Sequence, residues 1–300
     1  MRWERGSDRS NIEDRRASGS GGGIGFGRGG FKIGLGGIAI LLVLSLLTGK
    51  NFLAILGPGG PLEVPMGSDS GATYQPTPQE EELADFVTFV LNDAQGVWHD
   101  VLPQRAGANY RDAKLVLFNG TVQSGCGYAQ AAMGPFYCPL DQKVYIDLGF
   151  YQELRDRFGA PGDFAQAYVL AHEVGHHVQN LLGIAEQVHG LRERNPAKSN
   201  ALSVRMELQA DCLAGIWAHS TSRRDILDPG DVEEGINAAA AVGDDRIQKQ
   251  ATGHVNPEGW THGSAKQRAA WFMQGYQSGE IASCDTFNTK LAADQQAGGW

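Results

Sequence analysis

The sequence has few cysteines and no closely spaced pair of them. Four occur in 300 residues, at positions 126, 138, 212 and 284. None has the C-x-x-C spacing of cysteine zinc sites, so a zinc-finger type of site is not expected. Four cysteines allow three disulfide pairings. We expect Cys126–Cys138, which closes a short loop, and Cys212–Cys284; four buried free thiols are the alternative.

Basic charge is also scarce, since the formal net charge is −9. Residues 1–32 contain seven basic and four acidic side chains and carry +3, which leaves −12 for residues 33–300. An acidic body repels phosphate backbones. Nucleic acid is therefore not an expected partner.

One uncharged apolar run stands near the N-terminus. Residues 33–49 read IGLGGIAILLVLSLLTG, which is at the short end of a membrane span. A cleaved signal is the alternative, but the preceding segment is long and no A-x-A-like site follows closely. The basic excess before the run predicts a cytoplasmic N-terminus and an exported body. We thus expect a single-pass cell-membrane protein with a periplasmic or extracellular domain, where disulfides persist.

Composition divides the chain into five segments. Residues 1–30 and 57–76 are rich in Gly with Ser or Pro, as is typical of disordered tails and linkers. The expected organisation is a disordered cytoplasmic tail at 1–30, a transmembrane anchor at 31–56, a linker at 57–76, a folded domain at 77–287 and a C-terminal tail at 288–300.

Within the folded domain, helical patterns outnumber strand patterns. Thr77, Pro78 and Glu80 together form a strong helix start. Strands are predicted at 114–118 and 143–148, the second from its alternating apolar residues. Helices are predicted at 150–158, 163–182, 202–219, 231–242 and 265–276, with capping boxes at Asp163/Gln166, Asp231/Glu234 and Ser264/Gln267. The expected fold class is α+β, mostly helical with a small sheet.

The strongest chemical signal is His172-Glu173-Val-Gly-His176. Positions i and i+4 share one face of a helix, so both imidazoles can bind one metal ion, with Glu173 beside it. A chance match is the alternative, but the preceding run of helix formers supplies the right context. Gly175 costs helix stability, and we expect it to allow close packing against a neighbouring helix; a merely tolerated glycine is the alternative.

A catalytic zinc site needs a third protein ligand. The extended pattern H-E-x-x-H-x-x-G-x-x-H fails, because Gln179 and Leu182 occupy its last two defined positions. Further along, Glu207 and Asp211 share a helix face. We expect Glu207 to bind the metal and Asp211 to accept a hydrogen bond from a ligand histidine. A solvated acidic helix face is the alternative.

The pairing of HEVGHH with ELQAD resembles gluzincin-type metallopeptidases. More narrowly, the chain is similar to the bacterial putative neutral zinc metallopeptidase family, also in the segments MRWERG, GPFYCPLDQKVYIDLGF, NAAAAVGDDRIQ and THGSAKQRAAWFMQGY. The resemblance implies a zincin-like domain at 77–287, Zn²⁺ as cofactor, and a single membrane span before an exported domain.

This reading predicts a mechanism and a substrate class. Zinc would activate a water, Glu173 would act as general base, and a peptide or protein would be cleaved. The oxyanion donor is expected to be His262, with Tyr145 or Tyr168 as alternatives. Residues 145–147 could be an edge strand for substrate or an ordinary core strand. His177 is expected to be a packing or surface residue, and Arg268 to face substrate or pair with an acid.

Three functions fit these residues. The first is an exported zinc endopeptidase. The second is a non-catalytic, zinc-stabilised binding or adaptor module, which the presence of Glu173 disfavours. The third is a zinc amidase acting on cell-wall peptides, which shares the chemistry. The pattern indicates no oligomeric state.

Overall fold

A computed structural model describes residues 1–18 and 74–288 of the chain. Residues 1–18 and 75–288 belong to one compact unit, which is mostly helical with a small sheet, as predicted. A zincin-like topology stays a prediction. The helices are α1 Pro78–Ala106, α2 Phe150–Asp156, α3 Asp163–Leu181, α4 Ile184–Arg194, α5 Ser199–Arg223, α6 Asp231–Ala241, α7 Asp244–Thr252 and α8 Ala265–Ser278. The strands are β1 Ile12–Asp14, β2 Lys114–Phe118, β3 Thr121–Ser124, β4 Gly127–Gln130, β5 Phe136–Cys138 and β6 Lys143–Asp147.

Four strands form the main sheet in the order β1-β2-β6-β5. The pairs β1·β2 and β2·β6 are parallel, whereas β5·β6 is antiparallel and aligns Tyr137 with Val144. Strand β6 therefore lies inside the sheet. The suggestion that residues 145–147 form a substrate-binding edge strand is wrong, because β5 occupies that edge among the described residues.

The N-terminal segment is part of the folded unit. Ile12 of β1 aligns with Leu115 of β2, and Trp3 packs edge-on against Phe86 at 5.4 Å between ring centroids. The Arg16 side chain is 1% exposed and donates hydrogen bonds to Asp14 and Glu81. The predicted disordered tail is therefore wrong for residues 1–18. Composition does not reveal this order, because an ion pair and a short strand, not apolar content, hold the segment in place.

The predicted membrane topology is also wrong. In the parts of the chain that the structure describes, no helix combines the length and apolarity that a bilayer crossing requires. The proposed anchor at 31–56 and most of the linker at 57–76 lie outside the described residues, as do residues 289–300 of the C-terminal tail. Strand β1 nevertheless pairs with β2 of the main domain. One crossing between them would put the two strands on opposite sides of a membrane.

Helix starts follow the sequence signals in part. Capping boxes are present at Thr77/Glu80 and Ser264/Gln267, as predicted. The boxes predicted at Asp163 and Asp231 are wrong: both residues lie inside their helices, behind glycine N-caps that have no side-chain hydrogen bond. The Asp163 carboxylate instead accepts a hydrogen bond from the α-amino group of Met1 at 2.8 Å.

Glycines bring three helices into close contact. A Cβ atom at Gly175 of α3 would lie 2.9 Å from the Ala210 carbonyl oxygen of α5. Between α5 and α8, a Cβ atom at Gly275 would lie 1.9 Å from the Cys212 carbonyl oxygen. The close packing predicted for Gly175 is thus confirmed, and it fixes how the side chains of α3 and α5 face each other.

Both predicted disulfides are present. Cys126–Cys138 joins the turn between β3 and β4 to the end of β5, and Cys212–Cys284 joins α5 to the segment after α8. The described residues contain no free cysteine. The first bond holds the β3–β4 hairpin against the edge strand, and the second is buried in the helical core.

Candidate metal centre

Two helices bring three potential ligands together. His172 and His176 lie one turn apart on α3, and α5 presents Glu207 to them. His172 Nε2 is 3.1 Å from Glu207 Oε2, and His176 Nε2 is 3.6 Å from Glu207 Oε1. One candidate ligand atom from each side chain lies within 4.8 Å of the others. The structure therefore brings together the three residues that the sequence predicts as ligands.

These separations suit a tetrahedral cation. With ligands at about 2.0–2.1 Å, two ligand atoms of a tetrahedral zinc lie about 3.4 Å apart. Each histidine Nε2 lies close to that distance from one Glu207 oxygen, at 3.1 Å from Oε2 for His172 and 3.6 Å from Oε1 for His176. Two imidazoles and a carboxylate are also a donor set typical of catalytic zinc, which leaves a fourth position for water or substrate.

Asp211 lies behind the first histidine, as predicted. Its side chain is completely buried, and Oδ1 accepts a hydrogen bond from His172 Nδ1 at 2.8 Å. The hydroxyl of Tyr168 donates to the same oxygen. Since a carboxylate accepts only, His172 Nδ1 carries the proton and Nε2 faces the other potential ligands.

Without a metal, the cluster is a set of ion pairs in which His172 is buried and His176 and Glu207 are partly buried. Burial alone would lower the pKa of His172, but Asp211 and Glu207 outweigh it and raise the pKa to about 10. The pKa of His176 is raised against the same effect of burial, mainly by Glu207. Burial would raise the pKa of Glu207, yet the two imidazoles hold it well below the usual value. A cation that binds here would therefore compete with protons on the two histidines.

A cleft of about 600 Å³ opens over these side chains. Glu173 lines it and is 7% exposed, next to the first candidate ligand. The cleft is bounded by α2, α3, the β5 region and the start of α8. Its apolar lining includes Met133, Phe136, Phe150, Phe158 and Ile247. A water or a polypeptide can therefore reach Glu173 and the ligand cluster together.

His262 also lines the cleft. Its Nδ1 lies 3.1 Å from Asp244 Oδ1, and its ring is half-exposed. Asp244 Oδ2 accepts hydrogen bonds from the backbone N–H groups of residues 261, 262 and 263. The hydrogen bond to Asp244 raises the pKa of His262. One carboxylate thus fixes both the loop and the ring.

The two tyrosine alternatives to His262 differ in position. Tyr145 is buried on β6, where its hydroxyl donates to Asp141 at 2.6 Å, and it does not line the cleft. It is therefore a wrong candidate. Tyr168 borders the cleft, but its hydroxyl already contacts Asp211 and Arg268.

Sequence reasoning missed three supporting side chains. Gln179 Oε1 accepts from His176 Nδ1 at 2.8 Å, and the Gln179 amide donates to Met206 O on α5. Asp244 holds His262, and Tyr137 of β5 contacts His177 Nδ1 at 2.9 Å. An i, i+3 spacing could have pointed to Gln179. The other two contacts join segments that are distant in sequence.

His177 is a packing residue, in line with one of its two expected roles. Its side chain is completely buried, and Nε2 lies 2.6 Å from the Arg111 carbonyl oxygen. That N–H donates, so Nδ1 accepts from the Tyr137 hydroxyl, which in turn accepts from Asn180. These bonds attach edge strand β5 to the helix that carries both histidines.

The chain is similar to known proteins along most of its length. A family model described as "Putative neutral zinc metallopeptidase" matches residues 1–287. The uncharacterized protein YpfJ of Escherichia coli is 45% identical over 296 residues, covering 97% of this chain and 100% of that protein. The uncharacterized protein Rv2575 of Mycobacterium tuberculosis is 47% identical over 208 residues, covering 66% of this chain and 68% of that protein. No solved structure matches the chain.

Proposed function

The chain belongs to the family of putative neutral zinc metallopeptidases, and we propose from this premise that His172, His176 and Glu207 hold its Zn²⁺ while Glu173 is the general base of peptide hydrolysis. The convergence of these ligands from α3 and α5 carries the proposal. Family membership supports the zinc cofactor and a peptide or protein substrate. Neither the convergence of the ligands nor the family membership depends on the membrane attachment that the sequence suggested.

Bound zinc supplies Lewis-acid polarisation of a carbonyl and a water that is nucleophilic at neutral pH. Glu173 is placed to accept a proton from the attacking water and to deliver it to the leaving amine. Asp211 keeps the proton of His172 on Nδ1, so that Nε2 is free to bind. Gln179 orients His176 from its Nδ1 side in the same way.

His262 is proposed as the donor to the developing oxyanion. It lies in the cleft with Glu207, and Asp244 holds its Nδ1. The orientation of the ring is therefore fixed before substrate binds, and Nε2–H can donate to the substrate. Asp244 is then a positioning residue, because it acts through His262.

Strand β5 is the proposed support for an extended substrate. It lies at the sheet edge among the described strands, and Phe136 and Tyr137 line the cleft. Edge strands bind peptides by adding a further strand. Pairing along an internal stretch of polypeptide favours an endopeptidase over an enzyme that removes single terminal residues.

The test compares the full chain with Glu173→Gln. Both proteins should bind one equivalent of zinc, since the substitution touches no ligand. Casein cleavage should fall by a factor of at least roughly 10² in the variant, the lower end of what general-base catalysis contributes. Glu186→Gln, an exposed site on α4, is the matched control and should cleave like the wild type.

Equal cleavage by the wild type and Glu173→Gln would contradict the assigned base. Zinc binding without cleavage of casein or of a mixed peptide library would instead favour the adaptor function. Loss of zinc from His172→Ala and Glu207→Ala, with retention by Glu173→Gln, would separate ligands from base.

A further inference from the structure

Arg268 is a buried charge that the proposed chemistry does not use. Its side chain is 4% exposed. Nε donates to Asp211 Oδ2 at 2.8 Å, and Nη2 donates to Asp211 Oδ1 at 2.9 Å. This is the two-pronged pairing that guanidinium and carboxylate groups favour, and it fixes the carboxylate plane as well as its charge.

The same carboxylate contacts the candidate metal ligand. Asp211 Oδ1 accepts from His172 Nδ1, and Arg268 Nη2 lies 3.4 Å from that nitrogen. The plane of Asp211 therefore decides the direction of the His172 ring. An Asp211 side chain held by one bond could rotate, and the imidazole would rotate with it.

Arg268 is itself fixed from two further directions. Nη1 donates to the Val242 carbonyl oxygen at the end of α6, and Nη2 donates to the Tyr168 hydroxyl on α3. Helix α8, which carries Arg268, is held close to α5 by the Gly275–Cys212 contact. Arg268 also borders the cleft, but Nε, Nη1 and Nη2 each donate to a protein acceptor, so the protein itself holds the guanidinium in place.

We propose that Arg268 is a positioning residue of the metal centre: its fork onto Asp211 sets the orientation of His172 and thereby the zinc affinity. The inference rests on the proposed ligand set and adds a third helix, α8, to the two that supply ligands. Of the two roles that the sequence left open for Arg268, it develops the pairing with an acid.

The experiment measures zinc affinity of the full chain by competition with a chromophoric chelator. Arg268→Lys keeps the charge but cannot form the fork, and Arg268→Met removes both. Each should weaken zinc binding by roughly 10–100-fold, the range found for outer partners of metal ligands. Arg205→Lys, on α5 and bonded to the carbonyls of residues 286 and 287, is the matched control and should retain wild-type affinity.

A double variant tests whether Arg268 acts through Asp211. Arg268→Lys combined with Asp211→Asn should bind zinc no more weakly than Asp211→Asn alone. Circular dichroism of each metal-free variant checks folding, and Arg268→Lys remains informative if Arg268→Met does not fold.

Zinc affinity within twofold of wild type in a folded Arg268→Lys would overturn the inference, as would additive losses in the double variant. Zinc binding without peptide cleavage by the wild type would overturn the peptidase function and leave this inference standing. A wild-type chain that binds no zinc would overturn both.

Discussion

Single carboxylates at this site each serve several partners. Asp211 joins an arginine, a tyrosine and a histidine, while Asp244 joins one histidine ring to three backbone N–H groups. Buried polar groups of this kind are costly when one partner is lost, because the others keep their desolvation penalty. Substitution of Asp211 or Asp244 should therefore perturb the site, although neither carboxylate is a proposed metal ligand.

Zinc binding should release protons. With its pKa near 10 in the metal-free cluster, the His172 ring is protonated at pH 7.5, and a metal ligand must be neutral. The cation competes with protons, so zinc affinity should rise with pH, by about tenfold per unit for each proton displaced. Calorimetry at pH 7.5 in buffers of different ionisation enthalpy should show at least one proton released per zinc.

A heat of binding that is independent of the buffer would contradict that prediction. His189→Gln is the control, since His189 is 73% exposed on α4 and remote from the ligand cluster, and its proton release should match the wild type.

At the residue scale, the sequence identified the candidate site residues that a regular helical spacing relates to each other. The i, i+4 histidines and Glu173 need only a helix, and Glu207 with Asp211 needs a second helix of matching face. Arg268 remained ambiguous, because its choice between substrate and acid depends on how α8 packs. Asp244 was missed because its partner lies 18 residues away, beyond helix α7 and the loop that follows it.

Among the elements, the contact of α3 with α5 determines the ligand geometry. Gly175 faces the backbone at Ala210, which lies between Glu207 and Asp211 in sequence. A side chain there would meet helix backbone, which cannot rotate out of the way. The absence of a side chain at Gly175 therefore determines how closely the two ligand-bearing helices pack.

Gly175→Ala should destabilise the fold and weaken zinc binding. Alanine gains about 1 kcal/mol of helix propensity, but overpacking against a backbone costs about 1–3 kcal/mol. We expect a net loss of stability of about 1 kcal/mol and at least tenfold weaker zinc binding, as α5 moves away from α3. Urea unfolding and chelator competition measure the two effects.

Gly96→Ala is the matched control for that substitution. Gly96 lies within α1, and nothing lies within 4 Å of the position of its Cβ atom. The same change should there stabilise the protein by about 0.4–1 kcal/mol without altering zinc affinity. A stabilised Gly175→Ala with normal zinc binding would contradict the close-packing argument.

The sequence located the start of α1, and it located α2, α3, α5, α6 and α8 to within a few residues, because each buries one continuous face. It did not find α4 or α7, whose few apolar residues leave most of their surface in water. Strands β1 and β5 have three residues each, too few for an alternating pattern to stand out. Their place in the sheet comes from partners far along the chain.

The whole molecule joins its N-terminal segment to the body that carries the cleft. Arg16 anchors that segment, with its buried guanidinium between Asp14 and Glu81. No residue pattern predicts the pairing of β1 with β2, since the two strands are separated by Gly-rich sequence. A topology inferred from one apolar run therefore assigned the two regions to different compartments, against the geometry of the sheet.

Arg16→Met should loosen the N-terminal segment. Removing one member of a buried ion pair costs about 3–5 kcal/mol, but Asp14 and Glu81 remain 41% exposed, so solvent reduces the expected loss to about 1–2 kcal/mol. Urea unfolding should show the loss, and limited proteolysis should cut near residue 16 sooner than in the wild type. Arg155→Met, at an exposed ion pair on α2, should leave both readouts unchanged; unchanged behaviour of Arg16→Met would contradict the anchor role.

The parallel pairing of β1 with β2 also bears on how the chain folds. Ile12 is synthesised first, but its partner Leu115 follows about a hundred residues later. A ribosome must therefore complete β2 before the sheet can gain its outer strand, and closing so long a loop carries an entropic cost that slows the step. Strand β1 should be among the last elements to acquire protection from amide exchange during refolding.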